Sequence, residues 1–353
     1  MPGIVQKQSE MASRVAALFD ADSAQRRRIP RIYAKTHIER RFMAIDATDA
    51  AFDRAAPTRR RMELFMEHAL PLAADVAGRA LAEGGIADPA GQIGLLVLVT
   101  STGLGAPGID AALVKRLGLA PSVARLSVNL MGCAAAVNGL RVASDFARSN
   151  PGARALVCNV ELSSVNAVFV DDINDVVTSS LFADGCSAMV VGALAPGRAP
   201  SPGNIVIRHH FTRLVDGTLD GIRLAVGEMG ITCELSPDLP SYIHLGLASA
   251  VDEALAAVGL SRSDIRLWAI HPGGPRIIEA SVRSLGLAPE QASHSWDALA
   301  DCGNMLSASL PFVLQRMVAA EKSSEVVGNG VAFSFAPGIT VEGLVFEVAR
   351  SSC

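Results

Sequence analysis

Basic residues are not in excess in this 353-residue chain: Lys and Arg number 31 against 35 Asp and Glu, a formal net charge of −4. Nucleic-acid binders normally carry a basic stripe, so no nucleic-acid partner is expected. Charged residues of either sign are scarce at 19 %, while half the chain is apolar. That composition excludes a largely disordered polymer and suggests a large core plus a buried subunit interface. No apolar run reaches the roughly 18 residues of a membrane span; the longest, Ile93 to Val99, has the length of a strand. Residues 1–14 are polar and helical in pattern, with no basic segment followed by an apolar one. No signal peptide is therefore expected, and the expected location is cytoplasmic. The six cysteines, at 133, 158, 186, 233, 302 and 353, are scattered and form no C-x-x-C. Neither a disulfide framework nor a zinc site is expected.

What is present is an alternation of helical spacing and short apolar runs. Between Arg61 and Glu83 the residues Leu64, Phe65, Ala69, Leu72, Ala73 and Val76 make a helical stripe, which Gly84-Gly85 ends. Ile93 to Thr100 suits a strand covered on both faces. Residues 101–108 read as a loop, 111–117 as a short helix, 124–130 as a strand and 133–148 as an amphipathic helix. Residues 155–160 and 186–193 read as further strands, and the Pro/Gly-rich stretch 195–203 as a linker. The class is α/β, with halves at 1–198 and 199–353. These halves echo each other: "ALAEGGIADPAGQIGLLVLVTSTG" (80–103) resembles "ALAAVGLSRSDIRLWAIHPGG" (254–274). Further along each copy, a glycine precedes one reactive or polar residue at a new helix, Gly132-Cys133 and Gly303-Asn304. The repeat predicts a pseudo-twofold fold with a site between the halves.

Three residues stand where chemistry is placed. Cys133, in "VNLMGCAAAVNGL", opens an Ala-rich helix; unpaired N–H groups there favour thiolate, although a small core residue is the alternative reading. His271 ends the apolar run "LWAI" and opens a Gly/Pro loop, where α/β proteins put their sites; a hydrogen-bonded structural histidine is the alternative. Asn304, in "DCGNMLSASLPF", is either an N-cap or a fixed amide beside a reacting carbonyl. Thiol, imidazole and amide form a known nucleophilic set. Cys158 and Cys186 lie in apolar strands and read as core residues. His37, His68, His244 and His294 have surface or helix contexts. His209-His210 has no carboxylate or cysteine at ligand spacing, so no metal is expected there.

Seven segments in consistent order carry a family resemblance: "VTSTGLGAPGIDAAL" (99–113), "GCAAAVNGLRVASDF" (132–146), "VELSS" (160–164), "SLFADGCSAMVVG" (180–192), "WAIHPGGPRIIE" (268–279), "CGNMLSASLPFVL" (302–314) and "FSFAPGITVEGLVFEV" (333–348). The chain resembles the type III polyketide synthases, the chalcone-synthase-like branch of the thiolase superfamily. The resemblance implies a five-layered αβαβα fold of pseudo-twofold duplicated halves, a homodimer, and catalytic Cys133, His271 and Asn304. It implies acyl-CoA and malonyl-CoA as substrates and no cofactor. Cys133 would take the starter acyl group; His271 and Asn304 would hold the enolate left by decarboxylation, which attacks the acyl thioester. The resemblance also makes Phe182 the gate between CoA tunnel and cavity, and places Arg28, Arg31 and Lys35 where the family holds the CoA phosphates. These cations fall on one face of a helix by spacing, and a merely solvated face is the alternative.

The chain departs from the family at several cavity positions. Cys233 stands for a second gating phenylalanine, Asn166 and Ser101 for threonines, Thr178 for a glycine, and Leu306 for a serine. Leu224, like Thr178, stands where glycine is common, and the "GFGPG" loop reads Ser334 to Gly338. The family opens with a strand before its first helix; here the chain begins at that helix, so an edge strand is expected to be missing. The altered gate and analogy with bacterial members point to a fatty acyl starter and a pyrone- or resorcinol-type product. The alternatives are a ketoacyl synthase served by a carrier protein and an inactive lipid-binding homologue.

Overall fold

The helical reading of the first residues is corrected by the structure: a strand, β1 (Ile4–Lys7), comes before the first helix, α1 (Gln8–Ala16). Ile4 and Val5 are β-branched, but local preference is not what decides. A distant partner does, because β1 pairs antiparallel with β2 (Arg40–Met43), Gln6 opposite Arg41. Between them lies α2 (Ala24–Ala34), whose first turn is capped by Ser23 Oγ accepting from Arg26 N at 3.0 Å. The computed structural model describes residues 1–20, 22–169, 173–195, 197–321 and 328–349; Cys353 and Pro196 of the expected linker lie outside them.

In the first half, α3 (Thr58–Glu83) buries Arg61, Phe65, Ala69, Ala73, Ala77 and Leu81, every fourth residue. That spacing makes one stripe, and its alanines let the helix lie close to a sheet. After α4 (Pro89–Gln92) come β3 (Ile93–Thr100), α5 (Ile109–Arg116), β4 (Ala124–Asn129), α6 (Ala135–Ser149), β5 (Arg154–Leu162), α7 (Ile173–Leu181) and β6 (Asp184–Gly192). The sheet order is β4-β3-β5-β6, parallel except for β6. Period-two alternation turns Leu96 and Leu98 of β3 toward Phe65 and Ala69 of α3, and Val97 and Val99 toward Ala135 and Ala143 of α6.

The second half begins with β7 (Ile205–Leu214), a separate hairpin β8 (Ile222–Gly227) and β9 (Gly230–Leu235), and α8 (Leu239–Ala256). It continues with β10 (Leu267–Ile270), α9 (Pro275–Leu285), α10 (Ser293–Cys302), α11 (Ser309–Glu321), β11 (Asn329–Ala336) and β12 (Thr340–Val348). The second sheet has the order β10-β11-β12-β7, so parallel β10–β11 and antiparallel β11–β12 repeat the β3–β5 and β5–β6 pairings. Val137 and Leu140 of α6 pack with Leu310 and Val313 of α11 between the sheets. Ile243 and Leu247 of α8 cover the far face with Ile278 of α9. The layers are therefore α3/α5, sheet, α6/α11, sheet, α8/α9: the expected αβαβα fold. β7 takes the outer edge of β12, whereas the matching edge of β6 carries no strand among the described residues. A strand does precede the first helix, but β2, not the central sheet, receives it.

Candidate active site

Cys133 lies in a single 3₁₀ turn, Gly132–Ala134, directly ahead of α6. Gly132 holds φ at +58°, a region that disfavours side chains. Its N–H donates to Ser101 Oγ at 3.0 Å, which ties the turn to the end of β3. A Cβ at Gly132 would fall 3.2 Å from Pro337 Cδ, so the loop 334–338 closes over the turn.

Asn304 stands on an equivalent turn after Gly303, whose φ is +68°. Its backbone bridges the Phe182 segment: Asn304 N donates to Leu181 O at 2.9 Å, and its carbonyl accepts from Ala183 N at 2.8 Å. The side chain is pinned at both ends. Oδ1 accepts from Leu306 N at 2.9 Å, and Nδ2 donates to Gly273 O at 3.2 Å. Asn304 does not take the N-cap position, which Met305 holds for the 3₁₀ turn Leu306–Ala308; its Oδ1 instead closes a local turn onto Leu306 N, which fixes the amide plane. The amide lies 3.9 Å from Cys133 Sγ.

His271 follows β10 and is anchored by its own N–H, which donates to Phe333 O at 3.0 Å. Neither ring nitrogen has a hydrogen-bond partner among the described residues. A Cβ on Gly273 would meet His271 Nε2 at 3.2 Å, so the ring packs over the same Gly273 that accepts from Asn304. Cys133 meets Asn304 directly, and Asn304 meets the His271 loop through Gly273. Burial pushes the Cys133 thiol up, opposed by the Asn304 hydrogen bond, and lowers His271 to about 3. Desolvation thus opposes both the thiolate-favouring helix end at Cys133 and the charged form of His271.

A cavity with about 920 Å³ of empty space, its open mouth included, is lined by Ser101, Asn166, Thr178, Phe182, Leu224, Cys233 and Leu306. All seven cavity positions singled out in the sequence face one space. It reaches the Cys133 turn through Ser101 and through Leu224, whose Cδ1 would be 3.7 Å from a Cβ on Gly132. Leu224 and Cys233 are cross-strand partners on the β8–β9 hairpin. Asn166 has no free amide: Nδ2 donates to Thr102 O at 2.7 Å and Oδ1 accepts from Ile231 N at 3.0 Å, clamping that hairpin. The Thr178 hydroxyl donates to Asn174 O at 3.0 Å within α7. Leu306 is a leucine at φ +47°, a strained backbone whose N–H is held by Asn304 Oδ1. Arg28, Arg31 and Lys35 are exposed and carry no ion pair among the described residues, while Ile29 and Tyr33 face inward from the same segment.

One group beneath the site escaped the sequence reading. Glu161 is fully buried; it accepts from Ser101 N at 2.9 Å, Thr102 Oγ1 at 2.8 Å and Ser307 Oγ at 2.5 Å. It thereby ties the two halves together, and burial raises its carboxyl to about 7. Its signal was available as a carboxylate near the end of a mostly apolar strand. Among the described residues, no cluster of three or more His, Cys, Asp or Glu could hold a metal, and no helix is long and apolar enough to cross a membrane.

The N-terminal domain of chalcone and stilbene synthases matches residues 1–195, and the C-terminal domain matches residues 207–349. The chain is 56 % identical over 353 residues to the alpha-pyrone synthesis polyketide synthase-like protein Pks18 of Mycobacterium tuberculosis, covering 99 % of this chain and 89 % of that one. It is 33 % identical over 330 residues to polyketide synthase 37 of Dictyostelium discoideum, covering 91 % of this chain but 11 % of that much longer protein. Among solved structures, PKS-I from the brown alga Ectocarpus siliculosus superposes with a TM-score of 0.91 at 39 % identity, covering 98 % of this chain and 95 % of that one. The C-terminal type III polyketide synthase domain of Steely1 from Dictyostelium gives 0.90 at 28 % identity, covering 99 % and 97 %.

Proposed function

This chain belongs to the chalcone and stilbene synthase family and is a type III polyketide synthase, an acyltransferase condensing CoA thioesters; from that premise we propose that it extends a fatty acyl starter on Cys133 and releases an alpha-pyrone-type product. The observation that carries the site assignment is the Cys133–Asn304 approach at 3.9 Å beside the cavity.

The reaction uses the residues as follows. Cys133 Sγ, its proton taken by His271, attacks the starter carbonyl; the bond to CoA breaks and the CoA thiol leaves with that proton. Malonyl-CoA then loses CO₂, and the electron pair of the broken C–C bond becomes an enolate. Asn304 Nδ2–H and the imidazole hold the enolate oxygen in a buried site, where fixed donors act strongly. The enolate carbon attacks the Cys133 thioester and expels the thiolate. The lengthened chain reloads for another round. In the last step an enol oxygen of the chain attacks the terminal thioester carbonyl, closing the pyrone as the thiol leaves.

Phe182 and Cys233 form the neck of the passage. Cysteine in place of an aromatic ring widens it for an acyl chain, and each methylene buried contributes about 0.8 kcal/mol. The name of the Mycobacterium tuberculosis relative supports the pyrone product. Arg28, Arg31 and Lys35 are assigned to the CoA phosphates, since exposed cations capture charged ligands. The halves 1–198 and 199–353 carry the nucleophile and the His–Asn pair. The open edge of β4, with Leu126 39 % exposed, supports pairing with a second copy as a homodimer. The proposed location is the cytoplasm.

The test is intact-mass and product analysis with malonyl-CoA and a panel of acyl-CoAs. A long-chain adduct on Cys133 and pyrone products support the reading. Loading only from an acyl carrier protein would move the chain to the ketoacyl synthases, and absence of any adduct would reduce it to a binding homologue.

A further inference from the structure

Arg41 is a guanidinium only 1 % exposed that no step above uses. It stands on β2, at the wall of the cavity. Its Nη1 donates to two main-chain oxygens, Ser179 O at 2.5 Å and Phe182 O at 2.7 Å. These carbonyls end α7, where the last-turn oxygens lack helical partners and the dipole is negative. Tyr33 supports the same point: its hydroxyl donates to Ser179 O at 3.3 Å, and its ring centroid lies 5.7 Å from the guanidinium carbon. No carboxylate forms an ion pair with Arg41 among the described residues. Asp184 acts on it at longer range, its own oxygens accepting from Ala44 N at 2.7 Å and Ser164 N at 2.8 Å.

The stem of Arg41 has a second contact. A Cβ placed on Gly303 would fall 2.9 Å from Arg41 Cγ and 3.0 Å from Cδ. The side chain therefore lies against the turn that presents Asn304 while its head holds the carbonyl of Phe182. Phe182 and Asn304 are joined by their own bridge. One residue backs both the ring at the neck of the passage and the amide beside Cys133.

We propose that Arg41 is a positioning residue that couples the gate to the enolate-stabilising amide, so that acyl-chain selection and decarboxylation are adjusted together. The inference rests on the roles proposed above for Phe182 and Asn304. Lysine keeps the charge, but its Nζ ends one bond short of where Arg41 Nη1 sits and is held by no planar group, so it cannot keep both carbonyls at the same distances while its stem stays against Gly303.

The test compares wild type, Arg41→Lys and Tyr33→Phe in three measurements: Cys133 loading by intact mass, CO₂ release from malonyl-CoA, and kcat/KM over acyl-CoA chain lengths. In Arg41→Lys, CO₂ release should slow about tenfold or more with the KM for malonyl-CoA unchanged, because small misplacements of a catalytic group have large rate costs. Loading should persist, and the long-to-short preference should shift at least severalfold. Tyr33→Phe should move both readouts the same way by less, and carries the test if Arg41→Lys does not fold. Unchanged CO₂ release and chain preference in a folded variant overturn the proposal, as does an equal fall in all three measurements. Wild type that neither loads acyl-CoA nor decarboxylates malonyl-CoA refutes the underlying function instead.

Discussion

Gly132 and Gly303 hold φ at +58° and +68° on turns that lead into a helix, the first after β4 and the second after α10, yet the residue that follows is a thiol in one half and an amide in the other. The turns also differ in how they are held. The Cys133 turn is fastened through backbone, by Gly132 N on Ser101 Oγ, and leaves the thiol with the Asn304 amide at 3.9 Å. The Asn304 turn is fastened through backbone and side chain alike, with Leu306 N, Gly273 O and the Phe182 segment all engaged. A nucleophile must move into and out of bonding distance, whereas an electrostatic donor is effective only when it is already in place. One duplicated turn thus serves two purposes by the number of restraints placed on its reactive side chain.

The largest expected effect breaks the comparison at the thiol. Cys133→Ala should abolish acyl labelling and lower product formation by roughly 10³-fold or more, as removal of a nucleophile does; an acyl adduct persisting on the variant would contradict the assignment. Next, Asn304→Ala should slow CO₂ release from malonyl-CoA by about 10²–10³-fold, the cost of one preorganised donor, with Cys133 loading retained. Equal losses in the two half-reactions would mean that the two turns do not divide the chemistry as proposed.

The supports can be compared by adding one methyl group to each turn. Both Gly132→Ala and Gly303→Ala force a side chain into the left-handed region, a cost of about 1–3 kcal/mol. At Gly303 the new Cβ also meets Arg41 Cγ at 2.9 Å, against 3.2 Å to Pro337 Cδ at Gly132. Urea unfolding should show the larger loss for Gly303→Ala; equal losses would remove the asymmetry of support.

The smallest effect is a slope. The folded state keeps Glu161 protonated to about 7, above its ordinary 4.5, so that group contributes stability at low pH that is lost as pH rises from 4.5 through 7. His271 works in reverse: held neutral down to about 3 against an ordinary 6.5, it contributes stability present above 6.5 and lost as pH falls toward 3. The two oppose each other between 4.5 and 6.5, so Glu161→Gln should make stability rise more steeply with pH across that window than in wild type. Parallel unfolding free-energy profiles for the two proteins would exclude an ionisable, buried Glu161.

Much of the architecture was legible because it depends on local pattern. The fourfold spacing along α3 and the unbroken run of β3 can bury their apolar surface in few ways, so helix, strand and α/β class follow from the residues. The duplicated Gly-Cys and Gly-Asn turns were legible too, since only glycine accepts that backbone without strain. The first strand was not: residues 4–7 become β1 only because β2, more than thirty residues later, supplies their hydrogen bonds. Nor was the desolvation of Cys133. Its place before a helix was visible, but the burial that opposes the helix end exists only after both halves close around it.

Residue type and order by themselves determined the α/β class, the repeat and the choice of thiol, imidazole and amide. Only the tertiary structure decided which atoms those groups spend on holding one another. It sets Asn304 Oδ1 on Leu306 and Nδ2 toward sulfur, lodges Glu161 between Ser101 and Ser307, and lays Arg41 behind both Phe182 and Gly303. Apart from the Asn304–Leu306 bond, each of these contacts joins residues far apart in the chain. Local propensity reaches a few positions along the backbone, while hydrogen bonding, desolvation and steric contact act through space.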